Sequence, residues 1–191
     1  MKRLFIAINL PEEVKRKITG LIKQINPEKF SDKSNFHWLS PENWHLTLVF
    51  LGYQPDETIS PILESIKETA QHFPMSTIEF EKIILAPPGK TPRMIWLCGT
   101  KKTSKALGEI KKYLDDSLIK NGVGFQKENR PFNTHLTLAR FNFGKSDFSK
   151  EIGFPNIENL FFTAESLDLM ESHLKRAGAE YETLSKMDFI K

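Results

Sequence analysis

Residues 43–52 read NWHLTLVFLG, and residues 133–141 read NTHLTLARF. Successive side chains of a strand point to opposite faces. In the first copy Asn43, His45, Thr47 and Val49 therefore share one face, and Trp44, Leu46, Leu48 and Phe50 share the other. In the second copy Asn133, His135, Thr137 and Ala139 fall together, with Leu136 and Leu138 behind them. Each stretch predicts a strand with a polar stripe on one side and an apolar stripe on the other. The chain has five histidines and sets two of them in the same frame, one in each half. That placement predicts two similar lobes, each lending one strand to a shared cleft.

The segments around these strands fill in the lobes. RLFIAINL (3–10) is a short apolar run stopped by Pro11 and reads as a strand. From Pro11 onward Val14, Ile18, Leu21, Ile22 and Ile25 recur at helical spacing, with Asn26-Pro27 as the stop. Ile62, Leu63, Ile66 and Ala70 mark a second amphipathic helix over 57–72, with Pro61 in its first turn. A strand pair is predicted over 76–86 and 93–100 around the loop PPGKTP, then a third helix over about 102–120 carrying Leu107, Ile110, Leu114 and Leu118. The tail reads as a hairpin turning at KRAGA. Strands that follow one another directly predict an α+β protein with mainly antiparallel sheet. The expected architecture is a single domain over 1–191 made of two pseudo-symmetric lobes, antiparallel sheets flanking a central cleft and helices outside.

Composition narrows the classes. A hydrophobic content of 39% with 15 Phe supplies a real interior, and no run of about 18 apolar residues predicts a membrane span. Cys98 is the one cysteine, so no internal disulfide can form, and a cytoplasmic setting is expected. The net charge of +3 neither demands nor excludes a nucleic acid; a local basic cleft would matter more.

Two imidazoles and two hydroxyls around one small site suit a phosphodiester. Hydroxyls donate to the non-bridging oxygens, and a protonated imidazole offsets their charge. In-line hydrolysis needs a base on the attacking oxygen and an acid on the leaving oxygen, and histidine serves as either near neutral pH. One ring neutral and one charged can do both jobs. Neither copy carries a second histidine or a carboxylate two or four positions on, so the pattern differs from a metal-binding helix motif and no metal or cofactor is expected. The residues alone do not say which histidine is the acid.

The two His-x-Thr-x motifs, with RLFIAINLP at the N-terminus and SLDLMESHLKRAGAEYETL near the end, resemble the 2H phosphoesterase superfamily. Within it, the chain is similar over its whole length to the RNA 2′,3′-cyclic phosphodiesterases, also called 2′-5′ RNA ligases. The resemblance implies a bilobal α+β fold whose cleft opens 2′,3′-cyclic phosphates on RNA ends to 2′-phosphates, with reversible 2′-5′ ligation. It implies His45 as proton donor to the departing 3′ oxygen and His135 as proton acceptor from water. Thr47 and Thr137 would hold the phosphate oxygens, and Arg140 would contact the phosphate, although strand alternation sets Arg140 on the face away from His135. Thr134 stands where the family often has proline. The implied partner is an RNA end with a cyclic phosphate or a similar small phosphodiester, bound by a monomer. A small cyclic nucleotide or 2′-5′ oligonucleotide substrate, and an RNA-end-binding module without turnover, are the competing readings. His37, His72 and His173 lack a partner motif and read as structural or exposed. Lys90, Arg93, Lys101, Lys102 and Lys105 are candidates for an RNA path, and Phe5, Trp44 and Trp96 for base stacking.

Overall fold

The computed structural model describes residues 1–25, 36–141, 153–175 and 178–191. The strands are β1 (Lys2–Asn9), β2 (Phe36–Trp38), β3 (His45–Gln54), β4 (Ser76–Ala86), β5 (Met94–Gly99), β6 (His135–Phe141), β7 (Phe161–Ala164), β8 (Ser166–Lys175) and β9 (Gly178–Asp188). The helices are α1 (Glu12–Ile22), α2 (Ile59–His72) and α3 (Lys101–Lys120). One sheet runs β3-β1-β8-β9 and the other β2-β6-β5-β4-β7. Every pairing between these strands is antiparallel. The expected α+β architecture with two antiparallel sheets is what the chain adopts.

Four strands of each sheet correspond: β3-β1-β8-β9 in the first and β6-β5-β4-β7 in the second, which has β2 as a fifth strand beyond β6. In both, a helix joins the paired strands in sequence: α1 between β1 and β3, α3 between β5 and β6. α1 buries Val14 and Ile18. α2 buries Ile62, Ile66 and Ala70, with Pro61 in its first turn as expected. In α3 the Thr100 hydroxyl accepts from the Thr103 N–H, which caps the helix, and Leu107, Ile110, Leu114 and Leu118 face inward. These faces and both sheets share one hydrophobic core.

Helix α1 stops at Ile22, short of the expected stretch, although Ile25 beyond it is still buried. The proposed stop at Asn26-Pro27 lies outside the described residues, as do residues 176 and 177 of the hairpin turn. β2 and β7 went unpredicted. They have three and four residues, too short to show a period.

The chain crosses between sheets immediately before the first motif. β2 pairs with β6, and the Leu39 N–H donates to the Leu138 carbonyl at 2.8 Å. A 3₁₀ turn over Pro41–Asn43 then leads directly into β3 of the other sheet. Asn43 thus belongs to this turn and not to the strand. Trp44, 1% exposed, anchors the crossing in the core.

Both motif strands are bulged at the same place. Ile6 pairs with Val49 and Ala7 with Thr47, leaving Leu48 as the extra residue in β3. Ile95 pairs with Ala139 and Trp96 with Thr137, leaving Leu138 as the extra residue in β6. A bulge shifts the alternation by one. Val49 and Ala139, expected beside the histidines, turn into the core, and Phe50 and Arg140 turn out to the histidine face. Gly52 does not end β3 either. At φ 74° it follows a second bulge, and the strand runs on to Gln54.

Candidate active site

His45 begins β3 and His135 begins β6, each at the mouth of its sheet. The His135 Nδ1 sits 2.8 Å from the Asn133 carbonyl, and His45 is held in the same way by the Asn43 backbone. A carbonyl only accepts, so the ring nitrogen facing it carries a proton. For His135 this leaves Nε2 as the exchanging nitrogen. The matching asparagines of the two hexapeptides therefore act through their backbone, two residues before each ring. Thr47 and Thr137 lie half-buried on the same faces, with core leucines behind them.

The surroundings of the two rings differ. His45 packs 4.8 Å from the Phe5 ring and 4.8 Å from Tyr181, which meets it edge-on from β9. Burial, with a smaller push from the Arg140 guanidinium, lowers its pKa from 6.5 to about 4, against the pull of the Asn43 carbonyl. His135 lies over Trp96 with ring centroids 4.0 Å apart. Burial lowers its pKa too, offset by the Asn133 carbonyl and by Glu128. Both rings are thus held toward the neutral form in the unliganded protein, whereas acid–base catalysis by the pair needs one of them charged. A bound phosphate would supply the negative charge that raises them.

Arg140 reaches from the second sheet toward the first. Its charge is felt at His45, its Nη1 meets the Met94 sulfur at 3.8 Å, and it has no carboxylate partner among the described residues. The β6 bulge explains how it shares a face with His135 against simple alternation. His37, exposed on β2, is its register partner and so stands on the same face; the sequence reading had it simply as structural or exposed. His72 stacks on Tyr113 at 4.3 Å, and His173 meets Glu182 at 3.2 Å.

Of the base-stacking candidates, Phe5 and Trp44 are 2% and 1% exposed and cannot receive a base. Phe50, turned outward by the bulge, is 60% exposed. Trp96 separates two cavities. One, of about 480 Å³, is edged by Lys90, Arg93 and Arg130. The other, of about 660 Å³, adjoins His135 and Cys98 and is edged by Lys101 and Lys105 of α3. Lys102 lines neither. The Cys98 thiol, opposite His135 in register, is pushed up to about 11 by burial and stays protonated.

Thr134 ties this region together. Its N–H donates to Ser104 Oγ at 3.1 Å, a bond proline could not make. Its carbonyl accepts from the Gly99 N–H at 2.9 Å. A Cβ on Gly99 would come within 2.9 Å of the Thr134 side chain, so glycine is required there. The group that could hold a metal ion among the described residues, Glu171, His173 and Glu182, lies on β8 and β9, with Glu171 ion-paired to Lys2. It includes neither motif histidine.

The paired sheets define a class first. The fold is that of solved phosphoesterases such as Escherichia coli LigT in complex with 3′-AMP, with a TM-score of 0.75 at 23% identity, covering 100% of this chain and 98% of that one. The family model described as LigT like phosphoesterase matches residues 8–96. Over nearly the whole chain, the sequence is 30% identical across 187 residues to the RNA 2′,3′-cyclic phosphodiesterase of Methanocaldococcus jannaschii, covering 96% of this chain and 99% of that one. It is 29% identical across 182 residues to the enzyme of the same name from Bacillus subtilis, covering 95% and 93%. The chain belongs to the LigT-like phosphoesterase family.

Proposed function

We propose that this protein opens 2′,3′-cyclic phosphates at RNA ends to 2′-phosphomonoesters, with His45 as general acid and His135 as general base. The observation that carries this reading is the pair of histidines at equivalent bulged strands of two sheets, each ring fixed by a carbonyl two residues earlier. The cyclic diester sits between them. Water, deprotonated by His135 Nε2, attacks phosphorus, and the departing 3′ oxygen takes its proton from His45. Thr47, Thr137 and Arg140 hold the non-bridging oxygens, and the two lobes act as one domain around the phosphate. With a 5′-hydroxyl in place of water as the attacking group, the same residues in the same roles join RNA ends through a 2′-5′ bond, and the reverse of that step cleaves it.

The names of the relatives support the substrate class. The complex of E. coli LigT with 3′-AMP supports a nucleotide-sized phosphoester. The neighbours of each histidine on its face support acid–base catalysis over a metal ion. They are Asn9, Phe5 and Tyr181 for His45, and Cys98 and Trp96 for His135, and among the described residues the grouping of carboxylates and histidines close enough to hold a metal ion includes neither ring. Among the described residues, no helix is long and apolar enough to cross a membrane.

The test is turnover of an RNA oligonucleotide ending in 2′,3′-cyclic phosphate, in the presence of chelator. Conversion to a 2′-phosphate is expected. Loss of turnover on chelation, or a 3′-phosphate product, would overturn the metal-free mechanism or the identity of the leaving oxygen, respectively.

A further inference from the structure

Hydrolysis needs room for one water beside His135, and a water's share of liquid volume is about 30 Å³. The cavity that adjoins this ring is about 660 Å³, in the range that holds a ligand. Its wall includes Ile84, Pro88, Trp96 and Phe132, an apolar surface suited to a nucleobase. Its edge is a stripe of α3, with Lys101, Lys105 and Lys112 on the helix side that also carries Gly108. Lys101 and Lys105 have no ion-pair partner among the described residues; Lys112 lies 3.5 Å from Asp116. Glu81 and Glu109 also stand at the cavity, and Glu81 is paired with Lys82 at 3.0 Å. Gly108 leaves the stripe open, since a Cβ there would come no nearer than 3.5 Å to Phe132.

We infer that this cavity seats a second nucleotide, the one whose 5′ oxygen lies across the phosphorus from the cyclic ribose. The inference rests on the reading of His45 and His135 given above. An in-line displacement brings the attacking oxygen in opposite the departing 3′ oxygen, on the side of the general base. Whatever that oxygen is attached to must therefore lie beside His135, where the cavity opens. In the joining direction the 5′-hydroxyl oxygen forms the new bond to phosphorus and its proton passes to His135. The P–O3′ bond breaks, and the 3′ oxygen takes the proton of His45. The product is a 2′-5′ phosphodiester with a free 3′-hydroxyl. In the reverse direction the 5′-hydroxyl leaves with the proton from His135. The base of this nucleotide lies against Trp96 and Phe132, and its own 3′-phosphate reaches Lys101 and Lys105.

The experiment measures two rates on each protein: hydrolysis of an RNA 2′,3′-cyclic phosphate, and cleavage of a 2′-5′-linked dinucleotide 3′-phosphate. Wild type is expected to show both. Gly108→Leu fills the stripe with a residue that favours helix, and Lys105→Glu reverses an exposed charge. In each the ratio of 2′-5′ cleavage to hydrolysis should fall more than tenfold. Lys102→Glu, on the same helix and outside the cavity, should keep the wild-type ratio. Absence of hydrolysis in wild type would sink the proposed function itself. Hydrolysis without 2′-5′ cleavage, or an unchanged ratio in Lys105→Glu, would overturn the second subsite and leave that function standing. Should Gly108→Leu fail to fold, Lys105→Glu still decides.

Discussion

The two motif strands are alike along their length and unlike across it. Each has a His and a Thr on one face, a bulged leucine at the same position and a backbone carbonyl holding the ring. The strands beside them supply the contrast. β1 places Asn9, Ala7 and Phe5 next to His45, Thr47 and Phe50, and β5 places Cys98, Trp96 and Met94 next to His135, Thr137 and Arg140. One histidine is enclosed by aromatic rings; the other lies on an indole at the mouth of a cavity. A motif repeated in sequence thus fixes where two titrating groups stand. The partner strands then give them different surroundings, to which the proposed mechanism assigns different tasks.

The sharpest way to break this division of labour is to delete each ring. His45→Ala and His135→Ala should each cost about 10²–10⁴-fold in kcat, the usual range for a general acid or base. A substrate whose leaving group needs no proton separates the roles. It should restore most of the activity of His45→Ala and little of that of His135→Ala. Equal rescue of both variants would mean that the roles are not divided in this way.

The next contrast lies five residues after each histidine, where the bulges turn Phe50 and Arg140 outward. Arg140→Ala should reduce kcat/KM by roughly 10–100-fold, the loss of a hydrogen-bonded charge on the phosphate. It should also raise the pKa of His45, because the guanidinium lowers it in the native protein. A ring titration by NMR reads the second effect directly. An unmoved His45 would show that Arg140 does not reach across the cleft in solution.

The same position shows what sequence could and could not reveal. Strand alternation correctly grouped His45 with Thr47 and His135 with Thr137, because the period holds over those three residues. It misplaced Phe50 and Arg140 because a bulge exists only relative to a partner strand, and nothing in HLTLVF or HLTLAR marks the unpaired leucine. Gly52 looked like a strand end for the same reason, since a glycine at a bulge and a glycine at a turn are spelled alike. Phe5 and Trp44 were offered for stacking since a ring in a sequence carries no record of its burial. The helices were legible because their apolar spacing spans several turns. The cavity beside His135 was not, because it is assembled from α3, β4, β5 and residues 131–135, segments whose proximity only the fold supplies.

The burial of His45 has a consequence for stability. Its native pKa, about 4, lies below its ordinary value of 6.5, so the unfolded chain binds the proton first. The sign follows: stability is intact above pH 6.5, declines as the pH falls between 6.5 and 4, and levels off below. By pH 5 the loss from this one group is at most about 2 kcal/mol. His135 adds to it in the same direction. Urea unfolding at pH 7 and pH 5 should show the decline, and His45→Gln should flatten it more than His135→Gln. An equal flattening by both would erase the contrast between the enclosed ring and the one at the cavity.

The finest test asks which ring takes up the proton when an anion arrives. Sulfate does not titrate near neutrality, so any proton taken up on binding comes to the protein. An anion between the rings favours the imidazolium form of each. Binding should therefore tighten as the pH falls, with a slope approaching tenfold per pH unit wherever one full proton is bound in the complex and absent in the free protein. For His45 that window opens above its free value of about 4 and closes at its raised value in the complex. Calorimetry in two buffers of different ionisation enthalpy counts the protons. His45 is nearly proton-free before binding, and its proposed role as the acid requires it to hold a proton in the complex, so the uptake is expected there. His45→Gln should then abolish more of the uptake than His135→Gln. No uptake in the wild-type protein would mean that the anion does not bind between the histidines at all. A larger loss in His135→Gln would reverse the assignment of the charged ring, and with it the choice of which histidine delivers the proton.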